Sequence, residues 1–288
     1  MASFIKASEK KWSATAALYI RYFEQYTVAM GATLLTNLKL RFHDKEALRV
    51  IECGSGAGAL AVEISRQLLL DSPSAASPHQ LTIVDLSESM MDIAKSRLGG
   101  SALQPTTVTA DATALPFPDA SFDRYICNMT VHYAPNADAF LQEASRVLAP
   151  GGLAGFTVWG REEFSPAFTT LPSVKKKLGL VKEPAPDAAP SRSNFHMGED
   201  DDALRQRVLA AGFSSCVIWH SPSVLEATSA EGYADTMIEG ANSTKQEVLG
   251  WSEDMQATFR AEVVDAAAAR LERGEPMALD VCYCVAQK

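Results

Sequence analysis

Between residues 47 and 160, apolar positions switch repeatedly between short continuous runs and the spacing of an amphipathic helix. The run 48–51 predicts a buried strand, and Leu60, Val62, Ile64 and Leu68 predict the helix that follows it. Residues 81–85 predict a second strand. Ser87 then caps a helix whose buried side is Met90, Met91, Ile93 and Ala94. Residues 106–110, 122–128 and 153–159 read as strands three to five. A helix over 138–148 ends in Pro150-Gly151-Gly152. Strands joined by helices in this way predict an α/β fold, with a parallel sheet covered on both faces.

The flanking regions have a different pattern. Residues 14–40 read as helical, in two helices broken near Gly31, with Tyr19, Tyr22 and Tyr26 along one face. Over 161–200 the regularity is broken by Pro166, Pro172, Pro184, Pro186 and Pro190, which predicts a partly helical insertion over one end of the sheet. A helix over 201–211 and a strand over 214–220 follow. Residues 224–274 read as mainly helical and 277–286 as a terminal strand.

The first strand runs into Glu52-Cys53-Gly54-Ser55-Gly56-Ala57-Gly58, a tight turn before a helix. Glycine permits dihedrals closed to other residues and lets a ligand approach the backbone. The second strand ends in Asp85, where an acid can accept hydrogen bonds from ribose hydroxyls.

Three further blocks follow in order. They are Ala110-Asp111-Ala112, then Leu115-Pro116-Phe117-Pro118-Asp119-Ala120-Ser121-Phe122-Asp123, and Arg146-Val147-Leu148-Ala149-Pro150-Gly151-Gly152. Together the five blocks resemble the class I S-adenosylmethionine-dependent methyltransferases, in their small-molecule (methyltransferase type 11-like) branch, strongly over about residues 47–160. The resemblance implies a Rossmann-like seven-stranded sheet whose final strand lies between the fifth and sixth. It divides the chain into an N-terminal helical cap over 1–45 and a methyltransferase domain over 46–288, with lid-like insertions at about 161–200 and 224–274.

The same resemblance implies roles for individual residues. Glu52 anchors the glycine loop or reaches the donor's amino group, and Gly54, Gly56 and Gly58 admit the donor. Asp85 holds both ribose hydroxyls, Leu86 or Met90 packs on adenine, and Asp111 and Ala112 bond its edge. Asn128 offers its backbone carbonyl. His132, with an ordinary pKa near neutrality, is the candidate proton acceptor. Tyr19 and Trp12 are candidates from the cap, and Tyr133 for lining the pocket. Trp159, with Phe164, Phe168, Phe195, His196 and Met197, suggests an aromatic acceptor pocket; Phe117 and Phe122 read as packing residues.

Asn128 is followed by Met129-Thr130, not by the Pro-Pro-aromatic sequence of enzymes that methylate nucleobase amines or planar amides. The chain carries 26 basic against 35 acidic residues, a net charge of -9, and no basic stripe, so no nucleic-acid partner is expected. No stretch has the length of a membrane span. Five cysteines in or beside apolar strand-like runs read as reduced thiols of a cytoplasmic protein, with no metal site assigned. The leading expectation is methylation of an oxygen or nitrogen of a small metabolite, with S-adenosylhomocysteine as the other product. The alternatives are carbon methylation of a lipid- or quinone-like acceptor, a macromolecular acceptor (RNA or protein), or non-catalytic donor binding. An apolar lid helix and a dimer helix look alike in sequence, which leaves a homodimer open.

Overall fold

A computed structural model describes residues 2–41, 43, 46–71, 78–181 and 193–288. In chain order it contains α1 (Ala2–Tyr22), α2 (Glu24–Leu35), β1 (Arg49–Cys53), α3 (Ala59–Asp71), β2 (Gln80–Asp85), α4 (Glu88–Leu98), β3 (Thr106–Thr109) and β4 (Phe122–Asn128). These are followed by α5 (Ala137–Val147), β5 (Leu148–Trp159), α6 (Pro166–Lys177), α7 (Asp201–Ala210), β6 (Ser215–Glu226), α8 (Ala230–Gly240), α9 (Asn242–Leu249), α10 (Glu253–Leu271) and β7 (Met277–Gln287).

The seven strands form one sheet in the order β3-β2-β1-β4-β5-β7-β6. Strands β1 to β5 pair in parallel, and β7 runs antiparallel between β5 and β6. This is the Rossmann-like methyltransferase sheet that the resemblance implied. Each central strand feeds two cores by simple alternation. On β4, Tyr125 and Cys127 enter one core and Ile126 the other; on β7, Cys282 and Cys284 enter one, and Val281 and Tyr283 the other. A sheet buried on both faces reads as continuous apolar runs, which is why the strands stood out in the sequence.

Two motif blocks turn out to be structural. Asp123 accepts from Arg49 Nε at 3.1 Å and Nη2 at 3.2 Å, tying β4 to β1. Arg146 donates to the carbonyls of Leu115 and Phe117 and to Asp119, fastening the loop before β4 to α5. Phe117 and Phe122 pack edge to face.

Several boundaries differ from the periodicity. The first helix begins at Ala2, and the break falls at Phe23, not at Gly31. Gly31 lies within α2, where a Cβ would stand 2.5 Å from Leu60 Cδ2, so glycine lets α2 approach α3. Strand β5 begins at Leu148, which pairs with Phe122, while Leu153 pairs with Arg124; the Pro-Gly-Gly segment bulges between them. Strand β6 extends to Glu226 because β7 offers a partner along its whole length. Pro184, Pro186 and Pro190 lie outside the described residues. Among the described residues no helix is long and apolar enough to cross a membrane.

Candidate active site

A cavity of about 710 Å³ opens at the carboxyl ends of β1, β2 and β4, where open α/β sheets bind their ligands. Its floor is the glycine turn. Gly54, Gly56 and Gly58 all have positive φ, at 74°, 53° and 76°, a region costly for other residues. The N–H groups of Gly54 and Ser55 both donate to the Val84 carbonyl, at 2.8 and 3.0 Å, locking the turn onto β2. A Cβ on Gly54 would overlap the Thr130 side chain, whereas one on Gly56 would meet nothing within 4 Å. Gly54 therefore serves packing, and Gly56 faces open space.

Two acids flank this turn. Asp85 Oδ2 accepts the Gly56 N–H at 2.8 Å, and Oδ1 accepts the Ser87 N–H at 2.9 Å. Burial raises the Asp85 pKa despite these bonds. Glu52 is 2% exposed, and its Oε2 has no hydrogen-bond partner among the described residues. Burial, and then the charge of Asp85, raise its pKa to about 8. A buried carboxyl oxygen left without a donor is costly, and a cationic ligand group would satisfy it.

Leu86, Met90, Asp111, Ala112 and Asn128 also line the cavity. Asp111 Oδ1 accepts from the Thr113 N–H at 2.9 Å and from its hydroxyl at 2.8 Å. The Asn128 side chain is engaged at both ends: Nδ2 donates to the Thr27 carbonyl at 2.8 Å, and Oδ1 accepts from Thr157 Oγ1 at 2.7 Å. It fastens α2 to the sheet.

The far end of the cavity is aromatic. Trp12 packs edge-on against Tyr19 and Tyr133, at centroid distances of 6.3 and 5.4 Å, and Trp159 packs against Phe168 at 4.3 Å. Phe23 and Tyr26 from the N-terminal helices, Leu171 and Pro172 from α6, and Met237 from α8 complete this wall. Both irregular regions therefore contribute lining. Among the described lining residues there is no lysine, arginine or histidine.

Residues 51–156 match the family profile of the methyltransferase domain (Methyltransf_11). Over these residues the chain carries a class I S-adenosylmethionine-dependent methyltransferase domain. The enzyme is 28% identical to the malonyl-[acyl-carrier protein] O-methyltransferase of Geobacter sulfurreducens over 205 residues, covering 70% of this chain and 69% of that one. It is 27% identical to the ubiquinone/menaquinone biosynthesis C-methyltransferase UbiE of Coxiella burnetii over 178 residues, covering 58% and 67%. The fold is similar to that of the YcgJ protein from Bacillus subtilis, with a TM-score of 0.55 and 16% identity, covering 92% of the enzyme and 99% of that chain.

All ten residues singled out for the donor lie near this turn or line the cavity; of these, Gly58 is the one outside the lining, supporting the turn from behind. A Cβ on Gly58 would stand 2.9 Å from Ala94 Cβ. Tyr19 lines the cavity, with its hydroxyl 2.6 Å from Thr27 Oγ1 and its pKa raised to about 12 by burial.

The structure does not bring His132 to the cavity. Its ring lies behind the wall, 4.1 Å from the Tyr133 ring and 6.2 Å from Trp159 by centroids, and is 4% exposed. Neither ring nitrogen has a hydrogen-bond partner among the described residues. Burial, aided by His196, lowers its pKa to about 3, which suits a neutral packing residue better than a proton acceptor.

The aromatic pocket is also smaller than the sequence suggested. Phe195 packs behind Trp159 at 5.0 Å, Met197 is buried in a core, and Phe164 is 54% exposed beneath Arg161. Tyr22 is outside the lining, although it shares α1 with Tyr19. Phe23, Thr27 and Thr130 were missed. Thr27 and Thr130 carried no signal, since an isolated threonine announces no contact.

Proposed function

We propose that the enzyme methylates an uncharged, apolar ring compound of the phenol or hydroquinone class, at a ring carbon. One observation carries this reading: the aromatic chamber beside the glycine turn has no cationic side chain among its described lining residues. A carboxylate or phosphate acceptor would be desolvated there without a counterion. A flat ring is complementary to Trp12, Tyr19, Tyr133, Trp159 and Phe168. Likeness to a quinone C-methyltransferase adds support. Likeness to a malonyl-carrier O-methyltransferase is outweighed, because a malonyl carboxylate would find no basic partner.

In this reading Glu52 Oε2 faces the donor's ammonium group and Asp85 accepts from both ribose hydroxyls. Leu86 and Met90 flank the adenine, whose edge meets Asp111 Oδ2 and the Ala112 N–H. The Asn128 carbonyl borders the methionine end. Bound there, S-adenosylmethionine supplies a methyl group already activated on sulfur. The chain's task is alignment and exclusion of water. The ring carbon bonds the methyl as the methyl–sulfur bond breaks to leave S-adenosylhomocysteine, and the hydrogen on that ring carbon is then lost as a proton to bulk water, restoring the ring. Tyr19 acts by shaping the wall through Thr27.

The test is incubation of the purified enzyme with methyl-labelled donor and three acceptor sets: alkylated hydroquinones, simple phenols and malonyl thioesters. Carbon-methylated hydroquinone, with no malonyl ester, is the expected product pattern. Turnover of malonyl thioesters alone would overturn the proposal.

A further inference from the structure

A second cluster of chemistry-bearing side chains lies away from the cavity, where β5, β6, β7 and α7 meet. His220 on β6 pairs directly with Cys282 on β7. Asp201, the first residue of α7, reaches the same point. The ligand atoms of Asp201, His220 and Cys282 all lie within 4.8 Å of one another. We propose that Asp201, His220 and Cys282 form a binding site for a zinc-class divalent metal ion, with Asp280 orienting the histidine.

The geometry around His220 carries the argument. Its Nδ1 lies 2.6 Å from Asp280 Oδ2. That oxygen also accepts the Arg161 backbone N–H at 2.8 Å and Arg161 Nε at 3.1 Å. Asp280 is thus an ionised, arginine-held acceptor, and Nδ1 must carry the proton it receives. The lone pair of Nε2 then points at Asp201 Oδ1, 2.8 Å away. Two acceptors at that separation require a cation between them, either a proton or a metal ion. A histidine that donates one nitrogen to a carboxylate and presents the other to the ligand set is the arrangement found around bound zinc. The buried Cys282 sulfur supplies the soft ligand that favours zinc over magnesium or calcium.

Charge permits the exchange of two protons for a divalent ion. A divalent ion with the Cys282 thiolate, the two carboxylates and the Arg161 guanidinium leaves the cluster without net charge. Binding displaces the thiol proton and the proton between His220 and Asp201, both to solvent. Asp201 is exposed enough to give the ion a way in and to shift as three ligands close on it. The fourth position is left to water, giving a four-coordinate site.

The other histidine cluster, His43, Asp71 and His79, does not have this property. There His79 Nδ1 accepts the Leu48 N–H at 3.0 Å, so Nε2 bears the proton and turns it toward Asp71. That tautomer presents no lone pair to a metal. The proposed site instead braces the acceptor wall from behind. Cys282 packs against Gly198, where a Cβ would stand 2.8 Å from Cys282 Cβ, just after the turn whose Phe195 backs Trp159.

The experiment strips the full chain with a chelator and titrates it with cobalt(II), then zinc(II). The expected result is one cobalt per chain, with a thiolate-to-cobalt charge-transfer band that zinc abolishes. Cys282→Ser should remove the band, Asp201→Ala should weaken binding at least about tenfold, and Asp280→Asn should weaken it about 10- to 100-fold. Circular dichroism confirms that each variant is folded; Asp201→Ala, at an exposed helix start, guards against a Cys282→Ser chain that fails to fold. Absence of the band in the wild-type protein would overturn the proposal, as would equal affinity in wild type and Asp201→Ala.

Discussion

The N–H of Gly56 donates to Asp85 Oδ2 at 2.8 Å, so the glycine turn is closed on the acid of the neighbouring strand before any ligand arrives. With Ser87 on the other oxygen, and the Leu86 backbone N–H also acting on the carboxylate, Asp85 is held by backbone donors while its oxygens keep lone pairs for further bonds. A vicinal diol matches that pair of oxygens. The turn and the acid therefore work as one preorganised unit, and changes within it separate folding from binding.

Gly54→Ala and Gly56→Ala should differ in kind. Both force alanine into a left-handed conformation, costing about 1–2 kcal/mol. At Gly54 the methyl group also overlaps Thr130, so this variant should melt at the lower temperature. At Gly56 the methyl group enters open space, so the variant should fold yet bind S-adenosylhomocysteine at least about tenfold more weakly. Thermal melts and calorimetry on both variants check this.

Glu52 makes stability and donor binding depend on pH in opposite senses. Its folded pKa of about 8 is above the ordinary value of 4.5, so the unfolded chain ionises first. Its contribution to stability is fully present below pH 4.5 and is lost as pH rises toward 8. Glu52→Gln should therefore raise the melting temperature of the ligand-free protein at pH 8 and change it little at pH 4.5. An ammonium group facing Glu52 favours the carboxylate, so donor binding at pH 7 should release a proton. Calorimetry in two buffers of different ionisation enthalpy measures that proton, which should vanish in Glu52→Gln.

His132 provides the opposite case. Its pKa of about 3 is below the ordinary 6.5, so its neutral form is the folded one. The contribution is present above pH 6.5 and is lost as pH falls toward 3. His132→Phe keeps a ring against Tyr133 and removes two unpartnered nitrogens. It should be as stable as the wild type at pH 7.5, more stable at pH 5, and within about tenfold in kcat. A loss of kcat by 100-fold or more would restore the proton-acceptor role.

The glycine turn and the acid beside it are legible in sequence because they depend on local geometry. Strand, glycine turn and helix fix Glu52 and Gly56 relative to each other, and an acid ending the next parallel strand lands beside them. The acceptor side depends on contacts between distant segments. Nothing near Asn128 announces that its amide reaches the Thr27 carbonyl 101 residues earlier. His132 differs from Tyr133 by one position, yet one lies behind the wall and the other lines the cavity. The short helical turn Val131–Tyr133 decides which. Asp201, His220 and Cys282 are likewise joined only by the antiparallel return of β7.

The central claim is that the Gly56–Asp85 unit holds the donor, and calorimetric titration with S-adenosylhomocysteine tests it most directly. Wild-type protein should bind, and Asp85→Ala, losing two hydrogen bonds to a charged group worth about 1.5–3 kcal/mol each, should bind at least about 100-fold more weakly. Equal affinity in a folded Asp85→Ala protein would contradict the account.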